Sequence, residues 1–220
     1  MNNINIYNNN DIECIKKSCL LIKNTFNMIE YYIKPNITTE LINNICHNYI
    51  IKNNGIPACL GYLNFPKSIC ISINNIVCHG ISSNKKKLKY GDIVNIDICI
   101  NKNGYYCDAS KMFFVGKINK SANNLCKIAK KSLDLSISIL KEGLKLKYIG
   151  KIIQNYVENN NMSVVREFCG HGIGKNLHEL PYIHHYYIKN NNFILKEGMI
   201  ITIEPIINLG TRYIKTMKDG

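Results

Sequence analysis

The sequence predicts an α+β domain made of two related halves, each pairing helices with antiparallel strands. Three observations lead there. The hydrophobic pattern runs helix, helix, strands, and then helix, helix, strands again. A ten-residue pattern recurs about a hundred positions later, each time behind a His-Gly turn. No Ser/Gly-rich linker separates the two stretches, so residues 1–220 read as one domain with halves at about 11–116 and 121–220.

Each element has its own signal. Ile12, Ile15, Cys19, Ile22, Phe26 and Ile29 recur at three- and four-residue spacing, which predicts a helix over 11–33 that Pro35 stops. Thr38 is the expected N-cap of a second helix that runs to about Asn53 and ends before Gly55. Apolar runs at 68–73, 76–78, 93–100 and 105–115, broken by Gly and Asn, predict strands. Helices are expected over 122–141, closed by Gly143, and over 148–160. Strands are then expected at 163–168, 199–203 and 212–215.

Composition narrows the function classes. The 220 residues carry a formal net charge of +13, with 28 Lys+Arg against 15 Asp+Glu. Only two of the basic residues are Arg (Arg166, Arg212), and Ile, Asn, Lys and Tyr make up half the chain. These are residues that AT-rich codons favour, so the charge reads as compositional bias and no specific DNA partner follows from it. The ten cysteines include no C-x-x-C pair, which predicts free thiols in a reducing compartment. The polar N-terminus has no apolar h-region, and no run approaches the ~18 residues of a membrane span. A cytoplasmic protein is expected.

The repeat carries the chemistry. Leu88-Lys89-Tyr90-Gly91-Asp92-Ile93-Val94-Asn95-Ile96-Asp97 aligns without gaps to Leu195-Lys196-Glu197-Gly198-Met199-Ile200-Ile201-Thr202-Ile203-Glu204. Upstream stand Cys78-His79-Gly80-Ile81 and Gly170-His171-Gly172-Ile173. Each half therefore delivers a His-Gly turn and then a strand ending in a carboxylate, and a site is expected where the two acid-ended strands meet. The segment Asn101-Lys102-Asn103-Gly104 is a turn sequence between two strands. If Ile100 pairs with Tyr105, Asp97 lies directly opposite Asp108. Two carboxylates ~4.5–5.5 Å apart at Cβ need a shared proton or a cation between them. The nearby imidazoles of His79, His171 and His178, with the third carboxylate of Glu204, favour the cation. Such a ligand set suits Mn, Fe, Co or Zn, and a metal pair can activate water against a carbonyl. His47 reads as packing or surface, and the adjacent His184 and His185 are given no role.

These motifs, with Cys59-Leu60-Gly61-Tyr62, Phe65-Pro66-Lys67-Ser68, Ser72-Ile73-Asn74, His178-Glu179 and Ile203-Glu204-Pro205, resemble type I methionine aminopeptidases from about residue 5 to the end. The resemblance implies the pita-bread fold, with pseudo-two-fold halves, and a monomeric metallo-exopeptidase that removes the initiator Met from nascent polypeptide N-termini. It implies that Asp97, Asp108, His171 and Glu204 bind two divalent ions, with Asp108 bridging. His79 would hydrogen-bond the substrate near the scissile peptide, and His178 would polarise its carbonyl and stabilise the gem-diolate. Cys59, Tyr62, Phe65, Cys70 and Leu177 would line the Met side-chain pocket, and Asn74 would belong to a monovalent-cation loop.

Three departures from the pattern matter. Phe65 stands where Tyr is frequent, and Leu177 where an aromatic wall is common, so looser Met selectivity is expected. The family's last metal-ligating glutamate lies downstream of the Met-Lys-Asp-Gly segment in which this sequence ends. That predicts a C-terminally incomplete form with weak or no activity, and Asp219 is not a substitute. The rival reading is a pita-bread binding module that has lost catalysis and docks on ribosomal RNA through Lys85–Lys87. A transient ribosome contact is compatible with either reading.

Overall fold

A computed structural model describes residues 4–218. They divide into two compact units: residues 10–119 with 174–177 and 218, and residues 4–9 with 120–173 and 178–217. Elements numbered in chain order are described unit by unit.

The first unit holds α1 (Asn9–Ile29), α2 (Thr39–Lys52), β1 (Ile56–Pro57), β2 (Cys70–Ile73), β3 (Ile93–Lys102) and β4 (Tyr105–Phe114). Ile15, Ser18, Leu21, Ile22, Thr25, Phe26 and Ile29 form the buried stripe of α1, and a 3-10 turn (Glu30–Tyr32) ends it before Pro35. Thr38 has extended backbone and its hydroxyl accepts from Leu41 N, so the expected cap opens α2. Strand β3 is the centre of an antiparallel sheet, with β4 along one edge and β1 and β2 along the other.

The two faces of β3 differ sharply. Val94, Ile96, Ile98 and Ile100 are fully buried, opposite Phe113, Lys111, Ala109 and Cys107 of β4. They share a core with Ile22, Ile29, Ile42, Ile50 and Ile71. Fully burying one such side chain is worth ~1.5–3 kcal/mol, and a one-residue slip would turn all of them outward. The register is therefore held firmly, and the other face, with Asn95, Asp97, Cys99, Asp108 and Ser110, is left for chemistry.

The register corrects one expectation. The hairpin closes through a two-residue loop, Asn103 (φ 55°) and Gly104 (φ 81°), so Lys102 pairs with Tyr105. Both loop residues need positive φ, which is why Asn-Gly stands there. Asp97 consequently lies opposite Ser110, and Asp108 opposite Cys99. The two aspartates are diagonal neighbours on one face rather than direct partners. A second correction concerns the thiols. Cys19 of α1 and Cys107 of β4 form a disulfide, and the other eight cysteines are free.

The second unit holds α3 (Lys120–Ser138), α4 (Lys147–Glu158), β5 (Ser163–Val164), β6 (Gly170–Gly172), β7 (Glu179–Ile183) and β8 (Ile207–Asn208). Ile149, Ile153 and Val157 of α4 pack with Ile128, Val164, Ile183 and Ile207. Strand β5 pairs β8, and β6 pairs β7, both antiparallel.

Several expected strands are shorter or absent. The 76–78 run is not a strand, because Asn74 (φ 53°) and His79 (φ 52°) turn the chain and Ile71 N bonds to Gly80 O instead. The 163–168 run pairs only at Ser163 and Val164. The 199–203 run makes one isolated bridge, Gly172 with Ile201, and 212–215 pairs with nothing among the described residues. Asp219 lies outside the described residues. No helix among those residues is long and apolar enough to cross a membrane.

Candidate metal centre

The first unit supplies a carboxylate pair. Asp97 and Asp108 project from the chemistry face of β3 and β4, both half-buried, with buried Cys99 between them in the register. Carboxylate oxygens of both aspartates and the Cys99 sulfur lie within 4.8 Å of one another. Two carboxylates this close repel unless a proton or a cation intervenes. The same face continues into a cluster of buried thiols, Cys59, Cys70 and Cys99. The neighbouring Cys59 thiol, then burial, then the charges of Asp108 and Asp97 push the Cys99 thiol up.

The same unit carries candidate substrate contacts. His79 is exposed and sits in the left-handed region, where His is tolerated but uncommon. The following Gly80 clasps β2, giving its N–H to Ser72 Oγ and accepting from Ile71 N. A Cβ on Gly80 would stand 2.1 Å from Ile71 O, so only glycine allows that approach. Cys59, Tyr62 and Phe65 share one tight turn, closed by Gly61 N to Phe65 O and Phe65 N to Tyr62 O. Cys59 and Cys70 are buried, Tyr62 is exposed and Phe65 half-buried. Leu177 is buried. Asn74 spends its side chain on the turn before β3, donating to Asp92 Oδ1 and accepting from Ile93 N.

The second unit supplies an imidazole–carboxylate pair. His171 sits in β6 and is 5% exposed. Its Nδ1 lies 2.8 Å from Gly172 O. A carbonyl only accepts, so Nδ1 donates there, and Nε2 is the ring nitrogen turned toward Glu204. That nitrogen is 3.5 Å from Glu204 Oε1. An imidazole nitrogen and a carboxylate oxygen at this distance can share one cation between them. A backbone carbonyl fixing the far nitrogen is the usual support of a metal-ligating histidine.

Glu204 is also supported. Thr202 Oγ1 donates to Glu204 Oε1 at 2.7 Å and accepts from His171 N at 3.0 Å, tying the two candidate ligands through one hydroxyl. Glu204 N donates to His185 Nε2 at 3.1 Å. Burial, with the neighbouring His184, holds His185 down at about 3, so it stays neutral and can accept. His178 is exposed and its ring meets His171 edge-on at 4.2 Å between centroids. Next to it, Glu179 accepts from the buried Tyr7 hydroxyl at 2.8 and 2.9 Å.

Each unit thus gathers sequence-predicted candidates, and beside them stand Cys99, Thr202, His185 and Tyr7, which the sequence pattern did not single out. Position 202 occupies the x of the repeat pattern, and its hydroxyl two residues before the acid was the available signal. His185 was set aside because two adjacent histidines point apart, yet one of them is buried and bonded. The donor chemistry in both units fits divalent ions: carboxylates facing each other, and a tautomer-fixed imidazole facing a carboxylate.

Comparison with known proteins places this chemistry in a family. The pattern of metallopeptidase family M24 matches residues 13–217. The chain is 58% identical to a methionine aminopeptidase of Buchnera aphidicola subsp. Schizaphis graminum, over 96% of this chain and 80% of the relative. It is 47% identical to the methionine aminopeptidase of Escherichia coli K12, over 99% of this chain and 83% of that one. The crystal structure of methionine aminopeptidase from Rickettsia prowazekii superposes with a TM-score of 0.95 at 42% identity, covering 98% of this chain and 87% of that chain. The fold is the pita-bread fold of these enzymes. The chain belongs to metallopeptidase family M24, among its methionine aminopeptidases.

Proposed function

We propose that this protein removes the N-terminal methionine from nascent polypeptides in the cytoplasm by metal-dependent hydrolysis of the first peptide bond. The observation that carries the reading is the pair of ligand sets, Asp97 with Asp108 and His171 with Glu204, in a chain of this family. Divalent ions bound by these residues supply an activated water and Lewis acidity at the carbonyl. Mn, Fe, Co and Zn all suit carboxylates with imidazole.

The chain's own residues do the rest. Asp97, Asp108, His171 and Glu204 hold the ions, and Thr202 and His185 keep Glu204 in place. His178 donates to the oxygen of the scissile carbonyl as charge develops there, and His79 donates near the scissile nitrogen. Removing one such donor costs ~10²–10³ in kcat. Cys59, Tyr62, Phe65, Cys70 and Leu177 accept the Met side chain, whose polarizable sulfur suits an apolar, thiol-rich wall. The protein acts as a monomer, with only transient contact to the ribosome, where its substrates emerge. The monovalent-cation loop at Asn74 is part of the same reading and would use backbone carbonyls.

The test is release of Met from Met-Ala-Ser by protein loaded with Co or Mn, beside Leu-Ala-Ser as a control. At whatever rate, hydrolysis of the Met peptide stops in chelator, returns with metal, and falls ~10²-fold or more in His178→Ala. Equal cleavage of both peptides, or cleavage that persists in chelator, contradicts the proposal.

A further inference from the structure

Cys99 has no part in the mechanism above, yet its sulfur stands among the carboxylate oxygens of Asp97 and Asp108, all within 4.8 Å. Backbone geometry puts it there. Cys99 follows Asp97 by two residues in β3, so both side chains leave the same face, and its Cα partner across the hairpin is Asp108. The residue is buried, so water does not compete for the sulfur. Cys59 neighbours the Cys99 thiol on the same side.

The spacing suits ligation. Bonds of ~2.3 Å to sulfur and ~2.0–2.2 Å to carboxylate oxygen give tetrahedral ligand–ligand edges of ~3.3–3.7 Å. Three donors already within 4.8 Å need only small side-chain rotations to reach that. A thiolate is a soft donor that selects Zn, Co or Cd over Mn and Mg, whereas two carboxylates alone are hard.

We propose that Cys99 is a sulfur ligand at the carboxylate pair, making it a mixed oxygen–sulfur site selective for thiophilic divalent cations. The proposal rests on the metallopeptidase reading and names the metal class that its first unit prefers. On binding, the sulfur–metal bond forms and the thiol proton passes to solvent, with no change of oxidation state.

Cobalt titration of the whole protein tests this, read by absorption. Visible d–d bands report that cobalt is bound at all, and a near-ultraviolet sulfur-to-cobalt band reports a thiolate ligand. The unsubstituted protein shows both. Cys99→Ser keeps the visible bands and loses the sulfur band, while Cys59→Ser and Cys70→Ser keep both. The preference for Cd over Mn, from competition binding, falls at least tenfold in Cys99→Ser. A second measurement needs no variant: X-ray absorption of the zinc-loaded protein shows one sulfur at ~2.3 Å.

Visible bands without a sulfur band in the unsubstituted protein overturn the role of Cys99 and leave the metal centre standing. A sulfur band that survives in Cys99→Ser and disappears in Cys59→Ser or Cys70→Ser assigns the ligand elsewhere and overturns the proposal. No cobalt bands of any kind overturn the metallopeptidase reading itself.

Discussion

The two copies of the repeated pattern end in the same kind of side chain but are built differently. Leu88–Asp97 runs into a ten-residue strand paired on both edges, so Asp97 is aimed by an extended backbone ladder. Leu195–Glu204 runs into a segment with one isolated bridge and two backbone bonds to β6 and the residue after it, Thr202 N to His171 O and Ile173 N to Ile200 O, and the side chains of Thr202 and His185 complete the aim of Glu204. The left-handed glycine before each segment is the same: Gly91 at φ 92° and Gly198 at φ 83°. What differs is the partner. In the first unit β2, β1 and β4 satisfy β3, while in the second β6 is only three residues long and β7 takes its other pairing. One carboxylate is therefore robust to loss of any single polar side chain nearby, and the other, held by a shorter backbone pairing, leans more on Thr202 and His185.

That contrast can be broken or sharpened by measurement. The largest effect expected is metal stabilisation itself. A metal at a hundred times its Kd raises unfolding free energy by ~2.7 kcal/mol. Thermal melts with and without chelator should show that increment in the unsubstituted protein and little of it in Asp108→Asn. Without metal, Asp108→Asn should melt no lower than the unsubstituted protein, because a repulsive charge has been removed.

Next comes Gly170→Ala. Its Cβ would stand 2.3 Å from Thr202 O, so the segment that carries Glu204 must shift. A cost of ~1–3 kcal/mol is expected in denaturant melts, together with weaker metal binding. Gly80→Ala in the first unit meets Ile71 O at 2.1 Å and should cost a similar amount of stability. The aspartates stand on other strands, so metal affinity should hold there.

Thr202→Val follows. It removes the hydroxyl that serves both His171 and Glu204, and should lower metal affinity ~10–100-fold with a modest change in melting temperature. The smallest effect is Ser110→Ala. Ser110 is the exposed cross-strand partner of Asp97, and its loss should stay within ~0.5 kcal/mol and leave metal affinity unchanged. A large loss there would mean that the ladder does not hold Asp97 as described.

The sequence exposed much of this, for physical reasons. Long amphipathic helices and the long Ile-rich hairpin announce themselves by period, and Thr38 and Asn103-Gly104 by their backbone demands. The hairpin parity was legible too, since both aspartates share a face under either register. Their diagonal placement was not, because a two-residue and a four-residue turn both contain Asn103-Gly104. Short strands such as β6 and β8 carry no period to read, and 199–203 has a strand's composition but pairs with β6 through a single bridge and its two flanking bonds. Thr202 and His185 act through bonds between positions 31 and 19 residues apart along the chain or through a two-residue offset, so no local pattern marks them. The Cys19–Cys107 disulfide joins residues 88 apart with no motif at either end.

The account stands on Asp97, Asp108, His171 and Glu204 being metal ligands. Calorimetric titration with cobalt of the unsubstituted protein and of Asp97→Asn, Asp108→Asn, His171→Asn and Glu204→Gln tests it most directly. Each variant should lose an ion or bind at least tenfold more weakly than the unsubstituted protein. Full stoichiometry and full affinity in any of the four would contradict that residue's place among the ligands, and in all four would contradict the centre.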